Sequence, residues 1–292
     1  MHSTTSAKLG ILAAFALFGT ISIPVRLVTL PSGMLAMCRA FIGCAVLLVY
    51  RLIRRQRFDF AAAKADFRWF VGCGVMMGFN WILLFEAYKY TTVTVATLCY
   101  YMAPTIVILA SARLLQERLT RRKLLCAGAA LLGMVFISGI VGTKLPSSGE
   151  FRGILLGLLA AVLYASIILC NKRMTHLGAM DRTIGELLAA GVMLLLYNIV
   201  IGDIAFADWT GTNILVTLLL GVVWTGVAYA LYFRCLLPIP AQTAALLSYA
   251  DPVLAMLVSV FFFREALTIL NAVGALLILG AAVVSELPEK KS

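Results

Sequence analysis

Apolar residues fall in ten long runs, at roughly 9–28, 32–50, 69–88, 93–115, 124–140, 153–172, 183–201, 213–234, 242–263 and 268–285. Each approaches the roughly 20 residues that an α-helix needs to cross the hydrocarbon core of a bilayer. Polar residues are confined to the intervals, of which 51–68 is the longest and 141–152 and 201–212 come next. The short connections favour a bundle of neighbouring helices. The pattern predicts an all-α integral membrane bundle of ten transmembrane helices. Lys8 precedes the first run as in a secretory leader, but that run reaches about Val28 and further spans follow. A retained first helix is therefore expected.

Composition supports lipid as part of the solvent. Of the 292 residues, 62% are hydrophobic and only 13% charged, whereas a soluble domain carries about 25% charged residues. The net charge of +11 raises the question of nucleic acid. The placement of the charges answers it. Arg51, Arg54, Arg55 and Arg57 share one short interval, and Arg118, Arg121, Arg122 and Lys123 another. Positive charge between apolar runs marks the cytoplasmic side of a membrane protein. With ten spans and the N-terminus inside, seventeen Lys and Arg fall on the inner side and four outside: Lys89, Lys144, Arg152 and Arg264. Both termini are expected in the cytoplasm, with the bacterial cytoplasmic membrane as the location. The bilayer, not nucleic acid, is the expected macroscopic partner.

Nothing suggests an enzyme. Cys38, Cys44, Cys73, Cys99, Cys126, Cys170 and Cys235 show no C-x-x-C spacing, and most lie inside apolar runs, as small buried hydrophobes do. The two histidines are His2 and His176. H-E-x-x-H, G-x-x-x-x-G-K-[ST] and G-x-G-x-x-G patterns are absent from the sequence. No metal, no cofactor and no nucleophile–base pair is expected.

The chain repeats itself at an offset of about 148 residues. Gly78 falls on Gly226, Phe85 on Phe233, Tyr101 on Tyr249, Pro104 on Pro252 and Glu117 on Glu265. Leu119-Thr120 falls on Leu267-Thr268, and Phe18-Gly19 matches Tyr164-Ala165 more weakly. Five helices per half is an odd number, so the second copy must insert inverted. The charges agree: Arg118, Arg121, Arg122 and Lys123 become Ala266, Ile269, Leu270 and Asn271. The basic interval 51–68 reappears as 201–212, which carries Asp203 and Asp208 and neither Lys nor Arg. The predicted units are a first five-helix repeat over 1–140, an extracytoplasmic connector over 141–151 and an inverted repeat over 152–292.

Inverted repeats recur in secondary transporters, with the substrate site near the bilayer midplane between them. The segments EAYKYTTVTVATLCYYMAPTIVILASARLLQERLT and LLPIPAQTAALLSYADPVLAMLVSVFFFREALT resemble the two EamA modules of the drug/metabolite transporter superfamily. The resemblance extends over about 9–140 and 152–286. It implies a ten-helix fold, cytoplasmic termini, a central cavity and transport of small organic solutes, often export of amino acids or related metabolites. Members with amine or choline substrates imply a second substrate class.

Candidate binding residues follow from the repeat. Trp81 pairs with Tyr229, Phe85 with Phe233 and Tyr101 with Tyr249. Tyr101 and Tyr249 each precede a proline by three residues. Pro104 and Pro252 break backbone hydrogen bonding, which membrane helices tolerate where the backbone is buried or lines a cavity. Tyr100, Tyr164, Trp224, Asn80 and Ser248 extend the set. Such a lining suits flat or cationic solutes; ordinary packing is the competing reading for each ring. Gly74, Gly78, Trp81, Phe85 and Tyr88 form one face of the third helix, with glycines permitting close approach. Glu86 is a candidate for an amine or a coupling proton, against a local pair with Lys89. Asp251, whose counterpart is Ala103, is a candidate for a proton or cation, against helix capping. Arg26 and Arg39 are expected to pair or snorkel, Glu186 to face the interface, and Glu117 and Glu265 to cap or pair at the membrane edge.

The sequence thus points to a secondary transporter of a small polar organic metabolite, monomeric or homodimeric, working by alternating access at a central aromatic-lined cavity. A proton-coupled carrier of an organic cation such as choline is the second reading. A non-transporting receptor or scaffold is the third.

Overall fold

The structure is a computed structural model that describes residues 2–25, 27–55, 59–91, 93–138, 150–202, 209–264 and 268–287. Arg26, Glu265, Asp203, Asp208 and nearly all of the expected connector lie outside these ranges. The described residues form helices and turns without a strand. In chain order the helices are α1 (His2–Thr20), α2 (Ser22–Val25), α3 (Ser32–Ile53), α4 (Phe60–Tyr90), α5 (Val93–Tyr100), α6 (Ala103–Leu114) and α7 (Arg121–Ile137). They continue with α8 (Phe151–Arg173), α9 (Ala179–Ile201), α10 (Gly211–Leu219), a π-helical stretch (Leu220–Val227) and α11 (Ala228–Leu236). The last are α12 (Ala241–Ser248), α13 (Ala250–Phe263) and α14 (Ile269–Glu286).

Among the described residues, eight helical stretches are long and apolar enough to cross a membrane: Thr4–Val25, Ser32–Ile53, Phe60–Tyr90, Val95–Leu114, Phe151–Arg173, Ala179–Ile201, Gly211–Leu236 and Ala241–Phe262. The apolar helix Ile269–Ser285 is shorter. Helix α7 has 17 residues and opens on Arg121-Arg122-Lys123. The polar interval 51–68 is not all loop. Asp59 accepts a hydrogen bond from Ala62 N at 2.9 Å and caps α4, so Phe60–Arg68 is already helical. The Ala and Lys residues of that first turn favour helix by propensity, and hydropathy alone did not register them.

The repeated Leu-Thr has a physical explanation. Thr120 caps α7 by accepting from Lys123 N at 3.3 Å, and Thr268 caps α14 by accepting from Asn271 N at 3.1 Å. At α14 the Asn271 side chain returns a hydrogen bond to Thr268 N, closing a capping box. The repeat therefore preserves a helix-start device at the same point of each half.

The halves interleave. Helix α4 packs on α8 and α9, α3 packs on α9 and on the π-helical stretch, α1 packs on α11 and α13, and α7 packs on α14. Small residues set the approach. A Cβ at Gly74 would meet the Glu186 carbonyl oxygen on α9 at 2.3 Å, and one at Gly133 would meet the Gly274 carbonyl oxygen at 2.6 Å. Backbone meets backbone at these crossings, as small residues allow in membrane bundles.

Several charges counted toward topology also finish helices. Arg182 is buried and donates to the carbonyls of Asn171, Met174 and Leu177 at the end of α8, at 2.6–2.9 Å. Arg173 donates to Leu114 O at 2.7 Å, at the end of α6. Lys172 donates to the carbonyls of Leu236, Leu237 and Ile239 after α11. Terminal carbonyls lack intrahelical partners, and cations satisfy them well. Glu186 departs from expectation. It is fully buried between helices, not at the interface, and one carboxylate oxygen accepts from Asn171 Nδ2 at 2.6 Å.

Candidate functional site

Helix α1 brings Phe15 and Phe18 against the rings of α11. Phe18 lies edge-on to Tyr229, centroids 5.3 Å apart, and Phe15 to Tyr232 at 5.6 Å. Trp81 of α4 meets Tyr229 edge-on at 6.2 Å. Tyr100 stacks on Tyr164 of α8 at 5.6 Å and lies edge-on to Tyr101 at 6.2 Å. The edge-to-face and offset geometries are those that aromatic quadrupoles favour. Trp81, Tyr100, Tyr101, Tyr164 and Tyr229 are half-buried. Rings from both halves thus form one network, linked further by a long contact of 3.5 Å from Tyr164 OH to Tyr232 OH.

The breaks in the two prolyl helices place the polar groups. The chain leaves α-helix between Tyr100 and Ala103, and again at Tyr249, each just ahead of its proline. Tyr101 OH donates to Asp251 Oδ2 at 2.8 Å. The Tyr249 and Thr105 hydroxyls are 2.7 Å apart. Each tyrosine therefore crosses to the helix that follows the break in the other half. Asp251 is half-buried in the first turn of α13, and among the described residues it has no cationic partner within salt-bridge distance. Asn80 is buried and donates to Ala160 O at 2.7 Å, with Tyr100 OH 3.5 Å from its side-chain oxygen. Asn80 so fastens α4 to α8 beside the rings. Ser248 is buried, and its hydroxyl donates to Ala245 O at 2.7 Å, which makes it part of the helix end.

Arg39 joins this network. Its guanidinium carbon lies 5.5 Å from the centroid of Trp81, and its Nε donates to Thr225 Oγ1 at 3.2 Å. Thr225 stands in the π-helical stretch and donates in turn to Leu220 O, five residues back, at 3.2 Å. That bond fits the wide i→i+5 turn, a feature that tends to occur at functional positions. Gly43 of α3 abuts Thr225 and Gly226 closely enough that a Cβ would sit 3.0–3.1 Å from them. Arg39 thus neither snorkels nor pairs with an acid among the described residues.

Other candidates take other places. Glu86 pairs with the exposed Lys89 at 2.5 Å, outside the ring network. Phe85 packs with Trp81, Met193 and Tyr197 around the buried Ala36, Ile82 and Leu194. Tyr249 is fully buried, unlike its counterpart Tyr101. Trp224 donates to Thr20 Oγ1 at 3.1 Å and ties the π-helical stretch to α1. Sequence reasoning gave Arg39, Thr225, Phe15, Phe18 and Tyr232 no binding role. Only Arg39 carried a cue, as a charge within an apolar run.

A model of the EamA-like transporter family matches residues 5–139 and again 151–286. The chain belongs to that family. A Bacillus subtilis (strain 168) protein described as "Uncharacterized transporter YxxF" is 28% identical over 88% of this chain and 82% of its own length. An "Uncharacterized transporter" of Archaeoglobus fulgidus is 27% identical over 94% of each chain. A solved crystal structure superposes with a TM-score of 0.86 at 25% identity, covering 97% of this chain and 98% of that one. This EamA-family chain is therefore a multi-pass membrane transporter with a duplicated domain and apolar, membrane-capable helices. Its Tyr101–Asp251 and Tyr249–Thr105 crossings each join one matched copy of the domain to the other. Among the described residues no group of three or more His, Cys, Asp or Glu is placed to hold a metal ion.

Proposed function

We propose that this protein is a secondary active transporter of a small polar organic metabolite, such as an amino acid or a related compound. The solute binds on the rings of Trp81, Tyr100, Tyr101, Tyr164 and Tyr229, and access alternates about the breaks at Pro104 and Pro252. The observation that carries the reading is the meeting of half-buried rings from both halves beside Asp251, at the helix breaks. Broken helices lining a site between inverted repeats are the usual arrangement of such carriers. In this reading the chain crosses the membrane ten times, five in 1–140 and five in 152–292, with both termini in the cytoplasm. The bacterial cytoplasmic membrane is the proposed location. Asp251 is a better candidate than Glu86 for a coupling proton, because Glu86 is committed to Lys89.

The test is counterflow into proteoliposomes across amino acids, organic acids, amines and nucleosides. One class should exchange, and Trp81→Ala should reduce its exchange at least about tenfold, the scale of losing one aromatic contact plus its buried area. Equal exchange by Trp81→Ala would sink the site. A second reading, carriage of an organic cation, is favoured by one observation: Asp251 accepts from Tyr101 beside the ring network and, among the described residues, has no basic side chain within ion-pair distance. Cation–π contact plus a carboxylate is suited to quaternary amines.

A further inference from the structure

Arg39 is about nine-tenths buried, at 9% exposure. It lies seven residues into α3, roughly 10 Å along the helix at 1.5 Å per residue. One hydrogen bond, to the neutral Thr225 hydroxyl, is its only hydrogen bond among the described residues, and no carboxylate there lies within ion-pair distance. The other buried arginines differ. Arg182 holds three backbone carbonyls, and Arg51 lies 2.8 Å from Asp181. A charge inside a membrane protein is costly, and it is costlier still without a counter-charge. The cation–π contact with Trp81 offsets part of that cost but brings no anion.

We infer that Arg39 receives a carboxylate of the transported solute, with the Trp81 and Tyr229 rings packing against the solute's body. The inference rests on the aromatic network being the substrate site. Nε is engaged by Thr225, which fixes the guanidinium plane and leaves the two terminal nitrogens for an incoming anion. A planar fork matches a carboxylate with two parallel hydrogen bonds, which an ammonium does not. The π-helical turn that presents Thr225 and the glycine contacts of α3 hold this geometry before the solute arrives. Asp251, hydrogen-bonded to Tyr101 of the same ring network, is then the acidic group available for a positive group on the solute. A solute with a carboxylate satisfies a group that has no counter-charge among the described residues; a simple quaternary amine does not.

The full-length protein in detergent tests this with benzoate, phenylalanine and phenethylamine as probes, read by thermal unfolding. Benzoate and phenylalanine should raise Tm saturably, while phenethylamine should not. Arg39→Gln should weaken the carboxylate response at least about tenfold, and its Tm without probe should equal or exceed that of the parent, because a buried charge is removed. Arg39→Lys, which keeps the charge and loses the fork, should bind in between. The inference is overturned if Arg39→Gln responds like the parent, if neither carboxylate shifts the parent, or if phenethylamine matches phenylalanine. A large drop in the Tm of Arg39→Gln without probe would also overturn it, by assigning Arg39 a structural role. Arg39-dependent carboxylate binding without counterflow of any carboxylate would count against the transport-site reading alone.

Discussion

Arg39 and Asp251 lie on one ring network without pairing with each other, and Glu86 and Glu186 show what acids do elsewhere in this bundle. Glu86 is a partly exposed member of an i,i+3 pair with Lys89. Exposed pairs contribute about 0–1 kcal/mol. Glu86→Gln should therefore leave counterflow within about twofold of the parent, and a loss of transport would restore it as a site residue. Glu186 is the opposite case. Its carboxylate gives Asn171 Nδ2 an acceptor at 2.6 Å, while the other contact of that nitrogen is Ile167 O at 3.2 Å. Glu186→Leu strands a buried donor and should destabilise the protein by about 1–3 kcal/mol, seen as a lower Tm. Glu186→Gln keeps the acceptor and should cost less. Sequence reasoning placed Glu186 near an interface because it stands early in its helix. It could not register that α4 and α8 close over that turn. Arg39 was visible as a charge in an apolar run, but its partners lie 42 and 186 residues away, and no local pattern points to them.

Among the elements, the starts and ends of helices were the most legible parts. Pro104 and Pro252 marked the breaks, and the repeated Leu-Thr marked two helix starts, although its capping role came from geometry. Glu117 was expected to cap or pair, and it does so across the halves. Its two carboxylate oxygens accept from Ala241 N at 2.6 Å and Gln242 N at 3.1 Å, at the start of α12. Glu117→Ala removes both and should cost about 1–2 kcal/mol, the upper range for an N-cap, again read as Tm. A neutral effect would mean that water accepts from the two freed N–H groups. The π-helical stretch was not legible. Leu220–Val227 has the apolar composition of any spanning helix, and its wide turn depends on a Thr225 hydroxyl bond and on packing against α3.

In the whole molecule, the repeat and its charge reversal were legible because both are one-dimensional patterns. The interleaving was not. It depends on glycine crossings such as Gly74 on Glu186 and Gly133 on Gly274, whose partners lie far apart in sequence. Interleaving also gives the two crossed tyrosines their significance. An inverted pair of identical halves would have inward-open and outward-open forms of equal free energy. These halves are not identical where they hold one another. Tyr101 donates to a carboxylate, while Tyr249 meets the Thr105 hydroxyl. Inversion carries Asp251 onto Ala103 and Thr105 onto Val253, so neither crossing has a counterpart in the inverted form, and each lost hydrogen bond is worth about 1 kcal/mol, or about fivefold in population. Under alternating access, that difference sets which way the carrier rests when empty. Tyr101→Phe should move the resting distribution toward parity, and spin-label distances across the two faces would register the shift. An unchanged distribution would place the bias elsewhere. The resting bias of such a carrier would then have a local origin, an aspartate in the second half where the first half has Ala103, while the gradients of solute and coupling ion set the direction of net transport.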